Sequence, residues 1–232
     1  MEKSPAKKED RPADAAAAPA DNSKPDTSAK FLGKVWIPSI VMTAVAMCVQ
    51  LAFLLYAIMN AFRIRTYALK EFGFVIHEFD PWFNFRATKY LSKHGTYAFF
   101  HWFDHMSWYP LGRPVGTTIY PGLQYTSVVI HRVLKWMGPK WRMSLNNVCC
   151  YVPAWGGASC TFFMYLFTTE ATGSRTAGVI SAIVMAIIPA HMMRSVGGGY
   201  DNESIAMTAI VMTFYCWVRS LRNTTSAYVF GV

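Results

Sequence analysis

Charged side chains, and acidic ones above all, are scarce in this sequence. Only 15% of its 232 residues are charged, 53% are hydrophobic and the mean hydropathy is +0.21. Several uncharged stretches are long enough to cross a bilayer core, which is about 30 Å thick. The 16% share of aromatic residues is typical of rings at membrane interfaces. These features argue against a soluble domain and predict an all-α membrane protein, a polytopic helical bundle.

The sequence also lacks the cysteine and histidine spacings that hold zinc. It contains no CxxC and no cluster of His with Cys. Its cysteines all lie inside apolar stretches, where a thiol is a small buried or lipid-facing group; they are Cys48, Cys149, Cys150, Cys160 and Cys216.

Basic residues outnumber acidic ones, and the net charge is +9. Nucleic acid is one partner that such a charge can indicate. In a membrane protein, however, a basic excess more often marks cytoplasmic ends, anionic lipid or an anionic substrate. We therefore expect membrane lipid, and no nucleic acid, among the partners.

The uncharged stretches divide the chain into spans and loops. Residues 1–34 have almost nothing to bury and predict a disordered cytoplasmic tail. This tail is not a signal peptide, because the first apolar run starts too late and is too long. Spans are predicted at 35–62, 148–168, 176–193 and 204–221, and residues 222–232 begin the next cytoplasmic segment.

Charge at the span ends indicates which side each loop faces. Arg219 and Arg222 follow the last span, whereas Asp201 and Glu203 precede it. The positive-inside rule therefore puts the acidic pair outside the cytoplasm. The lysines before the first span put the tail inside; they are Lys24, Lys30 and Lys34.

These two assignments agree only if one apolar stretch does not cross the membrane. The stretch Ile119–Met137 is the natural choice, because it contains His131, Arg132 and Lys135. We predict that it is an amphipathic helix at the outer interface. About four spans result, with a long outer loop at 63–147 and a short outer loop at 194–203.

Each outer loop carries two carboxylates separated by one residue. These pairs are Glu78 with Asp80, and Asp201 with Glu203. Hard oxygen ligands of this kind suit Mg²⁺ or Mn²⁺. Three glycines precede Asp201 and would let the backbone approach a ligand, and Arg194 offers a cation for a phosphate.

A structural explanation competes with the functional one. A single acidic pair at a span end is often solvated, or caps a helix and interacts with its dipole. His77 is more typical of a structural residue than of a ligand. Two pairs on one side of the membrane, one of them beside glycines and an arginine, favour a functional site.

Four motifs, in order, strongly resemble the catalytic subunit of eukaryotic oligosaccharyltransferase. They are His-Glu-Phe-Asp-Pro-Trp-Phe-Asn-Phe-Arg at 77–86, Trp-Tyr-Pro-Leu-Gly-Arg at 108–113, Thr-Ile-Tyr-Pro-Gly at 118–122 and Arg-Ser-Val-Gly-Gly-Gly-Tyr-Asp-Asn-Glu at 194–203. The segments at 112–118 and 143–149 are most similar to trypanosomatid members, which implies action without accessory subunits. The resemblance extends from about Ile40 to the end.

The resemblance implies a type-C glycosyltransferase fold in the endoplasmic reticulum membrane, with the site in the lumen. It implies transfer of an oligosaccharide from dolichyl diphosphate to the Asn side chain of Asn-x-Ser/Thr in an acceptor polypeptide. Asp80, Asp201 and Glu203 correspond to ligands of Mn²⁺ or Mg²⁺. Asp80 would also contact the acceptor amide and Arg194 would support activity, and Glu78 completes the first motif.

The family's Trp-Trp-Asp signature, which reads the Ser/Thr of the acceptor, is absent from these 232 residues. We therefore expect an N-terminal portion that is incomplete alone. Two alternatives stay open: a truncated, inactive membrane remnant of that enzyme, and another lipid-linked sugar transferase of the same fold. An ion transporter is disfavoured, because no acid lies in the middle of a span.

Overall fold

A computed structural model describes residues 39–222, which are mostly helical. The predicted tail at 1–34 and the segment at 223–232 lie outside this range. Within residues 39–222, nine α-helices follow one another, at Ser39–Arg65 (α1), Tyr67–Phe72 (α2), Phe79–Phe100 (α3), Val115–Thr118 (α4), Gly122–Trp136 (α5), Leu145–Thr172 (α6), Arg175–Ile187 (α7), Pro189–Met193 (α8) and Glu203–Arg222 (α9). A 3₁₀ turn lies at Pro139–Trp141, and two short antiparallel strands pair, β1 (Phe103–Asp104) with β2 (Arg113–Pro114).

Two helices of the described range are long and apolar enough to cross a membrane. They occupy Ile40–Arg65, within α1, and Glu203–Arg222, which is α9. Most apolar side chains of α1 are exposed, as expected of a surface that faces lipid. The apolar helix α7 is shorter. Helix α6 has 28 residues and contains Pro153.

The first and seventh helices run in the same direction. Gln50 Nε2, before the middle of α1, donates to Thr176 Oγ1, at the start of α7, at 3.1 Å. Farther along, Leu54 and Ala57 pack in one cluster with Val179 and Ala182. At the ends, Arg65 Nη1 donates to the carbonyl of Ala186 at 2.9 Å.

Helices α6 and α9 also run parallel to each other. Thr208, early in α9, donates to the carbonyl of Gly156 in α6 at 2.9 Å. At the other end, Arg219 Nη1 lies 3.0 Å from Glu170 Oε2 and Arg222 Nη1 lies 3.5 Å from Glu170 Oε1.

A tight turn reverses the chain between α6 and α7. Gly173 ends α6 with φ +71°, and the Ser174 side chain accepts a hydrogen bond from the amide of Ala177. The helices α1, α6, α7 and α9 therefore alternate in direction. Both acidic motifs lie at one end of this bundle, and the Glu170 pairs lie at the other.

The segment predicted as the 176–193 span is two helices. Ile188 has extended dihedrals, φ −61° and ψ 124°, and Pro189 starts α8. Proline has no amide proton to donate and disfavours the helical conformation of the residue before it. The chain thus bends just before Arg194.

Helix α5 occupies most of the stretch Ile119–Met137. It packs against α3 and α6 at the end of the bundle that carries the acidic motifs. One side is buried and includes the polar residues Gln124 and Ser127, while Val129, Val133 and Trp136 are exposed. The helix therefore has one buried side and one exposed side.

Arg65 joins the end of α1 to the second acidic loop. Its side chain is fully buried; Nε donates to Ser195 Oγ at 2.7 Å and Nη1 to the carbonyls of Ala61 and Ala186. A Cβ on Gly157 would lie 2.5 Å from Arg65 Cδ, so that glycine makes the room for the guanidinium.

The buried carboxylate of Asp104 connects the segment that follows α3 back to that helix. Arg86 donates to both oxygens of Asp104, at 2.7 and 2.9 Å, and Ser107 Oγ and the amide of Met106 add two hydrogen bonds. Asp104 is 1% exposed. The hydrogen bonds from Arg86 lower the pKa of Asp104 from 3.8 to about 2.

We expect Gly116→Ala to destabilise the loop. An added Cβ would overlap the carbonyl oxygen of Phe99 and lie 2.6 Å from the Cα of Phe100, which are backbone atoms that cannot rotate away. The thermal unfolding midpoint in detergent should fall by about 4 °C or more. Gly122→Ala is the control, because nothing lies within 4 Å of its added Cβ. Equal midpoints for the two variants would contradict the packing described here.

Asp104→Asn should reduce stability in a pH-dependent manner. Because folding lowers the pKa of Asp104, its contribution is complete above about pH 4 and disappears as the pH falls towards 2. The free energy of unfolding should drop by about 2 kcal/mol at pH 7. Denaturant unfolding of wild type and variant at pH 7 and pH 2.5 measures the difference, which should shrink at the lower pH. Glu71→Gln, at an exposed carboxylate, is the charge-matched control. If the free energy of unfolding of Asp104→Asn differs from that of wild type by the same amount at both pH values, the lowered pKa of Asp104 is refuted.

Candidate functional site

The two acidic motifs meet at one cavity. Asp80 lies in the first turn of α3, and Asp201 lies just before α9 begins at Glu203. Both line a cavity of about 270 Å³. Its other lining residues come from α3, from the loop around α4 and from the start of α9; they are Phe83, Asn84, Arg113, Thr118, Ile119, Tyr120 and Asn202.

A buried asparagine links the two motifs directly. Asn84 Nδ2 donates to Asp201 Oδ1 at 3.2 Å and to the carbonyl of Tyr200 at 3.3 Å, across 117 and 116 residues of sequence. Gln124 Nε2 on α5 donates to Asn84 Oδ1 at 3.3 Å. Asn84 is 3% exposed and Gln124 is fully buried.

Tyr200 anchors the second acidic loop between α3 and α5. Its hydroxyl lies 2.8 Å from Thr88 Oγ1 and 2.6 Å from Ser127 Oγ, and the residue is fully buried. Burial raises the pKa of Tyr200 well above its usual 10, so the phenol keeps its proton. The residue before Asp201 is thus held at both its side chain and its carbonyl.

The glycine run at 197–199 lets this loop approach the chain itself. The amide of Gly197 donates to the carbonyl of Arg65 at 2.8 Å, and the carbonyl of Gly198 accepts from the amide of His77 at 3.3 Å. A Cβ on Gly198, at φ +91°, would lie 2.5 Å from the carbonyl oxygen of Val75. We expected these glycines to admit a ligand, but the atoms that Gly197 and Gly198 make room for belong to the chain itself, to α1, to α2 and to the segment before α3.

Asp201 also borders a second cavity, of about 210 Å³. Glu78 and Arg194 line it, and Arg194 Nε lies 2.9 Å from Glu203 Oε2 in an ion pair. Glu78 has φ +69°, a conformation that costs a non-glycine residue about 1–3 kcal/mol and that is concentrated at functional sites. Glu78 and Arg194 therefore lie on the side of Asp201 that faces this second cavity.

The oxygen atoms at the first cavity are of the type that binds Mg²⁺ or Mn²⁺. Asp80 and Asp201 contribute carboxylates, and the buried Oδ1 of Asn202 has no hydrogen-bond partner. Glu203, the third residue of the expected ligand set, is paired with Arg194. Within residues 39–222, no group of three His, Cys, Asp or Glu side chains is close enough to hold a metal ion. The residues present thus fit a divalent cation in donor type, with Glu203 engaged elsewhere.

Sequence reasoning missed four contributors to this site: Asn84, Arg113, Tyr200 and Asn202. Arg113 lines the cavity, lies 5.1 Å from the ring centre of Phe83 and donates to Thr118 Oγ1 at 2.9 Å. It ends the motif at 108–113, which contributed to the family resemblance but for which no site residue was predicted. Asn84 lies inside the first acidic motif, but its partner is remote in sequence.

The sequence is similar to those of known proteins. Residues 45–231 match the family described as "Oligosaccharyl transferase STT3, N-terminal". The dolichyl-diphosphooligosaccharide–protein glycosyltransferase subunit STT3A of Oryza sativa subsp. japonica is 44% identical over 72% of the chain. The subunit STT3 of Saccharomyces cerevisiae is 44% identical over 68%, and stt-3 of Caenorhabditis elegans is 41% identical over 85%. The chain spans 21%, 22% and 24% of the lengths of these three relatives, respectively.

Solved structures agree on the fold. The archaeal oligosaccharyltransferase AglB from Archaeoglobus fulgidus, in complex with an inhibitory peptide and a dolichol-phosphate, matches with a TM-score of 0.61 at 23% identity. The match covers 74% of this chain and 19% of that one, and the apo form of the Archaeoglobus fulgidus enzyme gives a TM-score of 0.60. The chain belongs to the STT3 oligosaccharyl transferase family and corresponds to the N-terminal part of its members.

Proposed function

We propose that this chain is the N-terminal, metal-binding part of an enzyme that transfers an oligosaccharide from dolichyl diphosphate to asparagine in Asn-x-Ser/Thr sequences. The observation that carries the proposal is the meeting of Asp80 and Asp201, from two distant acidic motifs, at one cavity. Family membership and the names of the relatives support the reaction class.

The reaction needs a group that activates a weak nucleophile. The lone pair of an amide nitrogen is delocalised, so the nitrogen attacks poorly until its conjugation is reduced. In our proposal the carboxylate of Asp80, which is exposed at the cavity, accepts hydrogen bonds from the N–H groups of the acceptor amide. As the bond from nitrogen to the anomeric carbon forms, the amide gives up one proton to this carboxylate.

The leaving group is an anionic diphosphate. The bond between the anomeric carbon and the diphosphate oxygen breaks, and its electron pair leaves with the oxygen. A divalent ion held by Asp80, Asp201 and Glu203 would supply Lewis-acid stabilisation of that charge. Arg194 has a side chain that is 60% exposed and is paired with Glu203. Once it releases Glu203, it would add a cation on the other face of Asp201.

The proposal includes a location and a topology. The helices α1, α6, α7 and α9 would be four spans of the endoplasmic reticulum membrane, with α5 at the luminal interface. Their alternating direction supports this topology. Arg175, Arg219 and Arg222 lie at the end opposite to the acidic motifs, as the positive-inside rule requires of a cytoplasmic end. Similarity to trypanosomatid members supports action without accessory subunits.

A chimera tests the activity. Residues 45–222 would replace the matching segment of the Saccharomyces cerevisiae relative, and glycan transfer to an Asn-x-Thr peptide would be measured in membranes with Mn²⁺. We expect transfer by the chimera and a loss of about 100-fold or more in Asp201→Asn and Glu203→Gln versions.

Glu71→Gln, an exposed acid away from both cavities, is the matched control and should retain activity. A chimera that elutes as a folded protein yet transfers nothing would refute the proposed function. Full activity of the Asp201→Asn version would refute the assignment of Asp201 as a metal ligand and would leave the proposed reaction standing.

Cysteine labelling tests the topology. In a version with Cys48 and Cys216 replaced by serine, Lys140→Cys should react with a membrane-impermeant maleimide only from the luminal side. Arg175→Cys should react only from the cytoplasmic side, and both positions are exposed. If Lys140→Cys is labelled only from the cytoplasm, α5 crosses the membrane and the four-span arrangement is wrong.

A further inference from the structure

The carboxylate of Asp201 is not positioned by its own loop alone. Its Oδ1 accepts two hydrogen bonds, from Asn84 Nδ2 at 3.2 Å and from the backbone amide of Asn202 at 2.7 Å. The second bond is local and moves with the loop, whereas the first comes from α3, the helix that carries Asp80. Asn84 therefore links the carboxylate of Asp201 directly to the helix that carries Asp80.

The orientation of the Asn84 amide follows from its partners. Its nitrogen faces two acceptors, Asp201 Oδ1 and the carbonyl of Tyr200, which can accept but not donate. Its oxygen consequently faces Gln124, whose amide nitrogen donates to it at 3.3 Å. Both amides are buried, so neither can exchange these bonds for water without cost.

We propose that Asn84, held by Gln124, is a positioning residue that fixes Asp201 for cation binding. With Oδ1 occupied by two donors, Asp201 presents Oδ2 as its ligand atom. One of those donors, Asn84, lies on the helix α3 that also positions Asp80. The inference rests on the proposed function, because it assumes that Asp201 binds the divalent ion. Partners of this kind set the orientation of metal ligands, and their loss typically weakens metal binding about 10–100-fold.

Asn84→Ala and Gln124→Ala in the chimera described above provide the test. Two quantities would be measured: the dissociation constant for Mn²⁺ alone, by electron paramagnetic resonance, and the Mn²⁺ concentration that gives half-maximal transfer. For Asn84→Ala we expect both to rise about 10–100-fold, with a smaller loss of rate at saturating Mn²⁺. Gln124→Ala should shift both in the same direction by a smaller factor, because it acts through Asn84.

Asn146→Ala is the matched control. Asn146 also donates a side-chain hydrogen bond to a distant backbone carbonyl, that of Phe74 at 3.0 Å, but it touches neither acidic motif. Its Mn²⁺ dependence should stay within twofold of the unsubstituted chimera. A general loss of folding would reduce the amount of active protein and leave the half-saturating Mn²⁺ concentration unchanged, so the two effects are separable.

Each outcome has one meaning. If Asn84→Ala keeps the Mn²⁺ affinity of an active chimera, the positioning role is wrong and the proposed function stands. If the folded, unsubstituted chimera neither binds Mn²⁺ nor transfers glycan, the proposed function fails and the positioning role fails with it. If Asn146→Ala shifts the affinity as much as Asn84→Ala does, the effect is not specific to the link between the motifs, and the inference is overturned.

Discussion

The buried guanidinium of Arg65 is the interaction on which the placement of the second acidic loop depends. It is bonded to α1, to α7 and to Ser195, and its own carbonyl accepts the amide of Gly197. A buried cation is costly, and Nη2 of Arg65 already has no hydrogen-bond partner among the described residues. Separating α1, α7 or Ser195 from it would leave further donors unsatisfied. Because the glycine run is fixed at this point, Tyr200 and Asp201 are brought to α3.

Features that depend on local sequence could be predicted. The apolar runs gave helices within a few residues of the observed bounds, because each helix forms its backbone hydrogen bonds within itself. The break at Ile188 is visible in the sequence as Pro189, although the prediction treated 176–193 as one segment. The acidic pairs were recognisable because the sequence has few acids, and the structure brings one member of each pair, Asp80 and Asp201, to one cavity.

The contacts between distant segments could not be predicted. Nothing in residues 77–86 indicates that Asn84 meets Asp201, since the pair is separated by 117 residues. The glycines at 197–199 carry the same local signal whether a ligand or the chain itself comes close, and the structure shows the chain. Gln124 and Ser127 look like polar interruptions of an apolar stretch, yet they face inward and satisfy Asn84 and Tyr200. In each case the partner comes from a distant segment that only folding brings close, and buried polar groups in particular are explained only by such partners.

The position of the Tyr200 side chain between α3 and α5 has a consequence for the order in which the protein is assembled. Thr88 and Ser127 leave the ribosome long before the phenol that they bind. Contacts over such separations form late, because the cost of closing the intervening chain must be met first. Both hydroxyls keep a partner in the meantime, because each also donates to a carbonyl of its own helix, that of Asn84 or of Leu123. The cavity that holds Asp80 and Asp201 is completed only when the segment after α8 has joined α3.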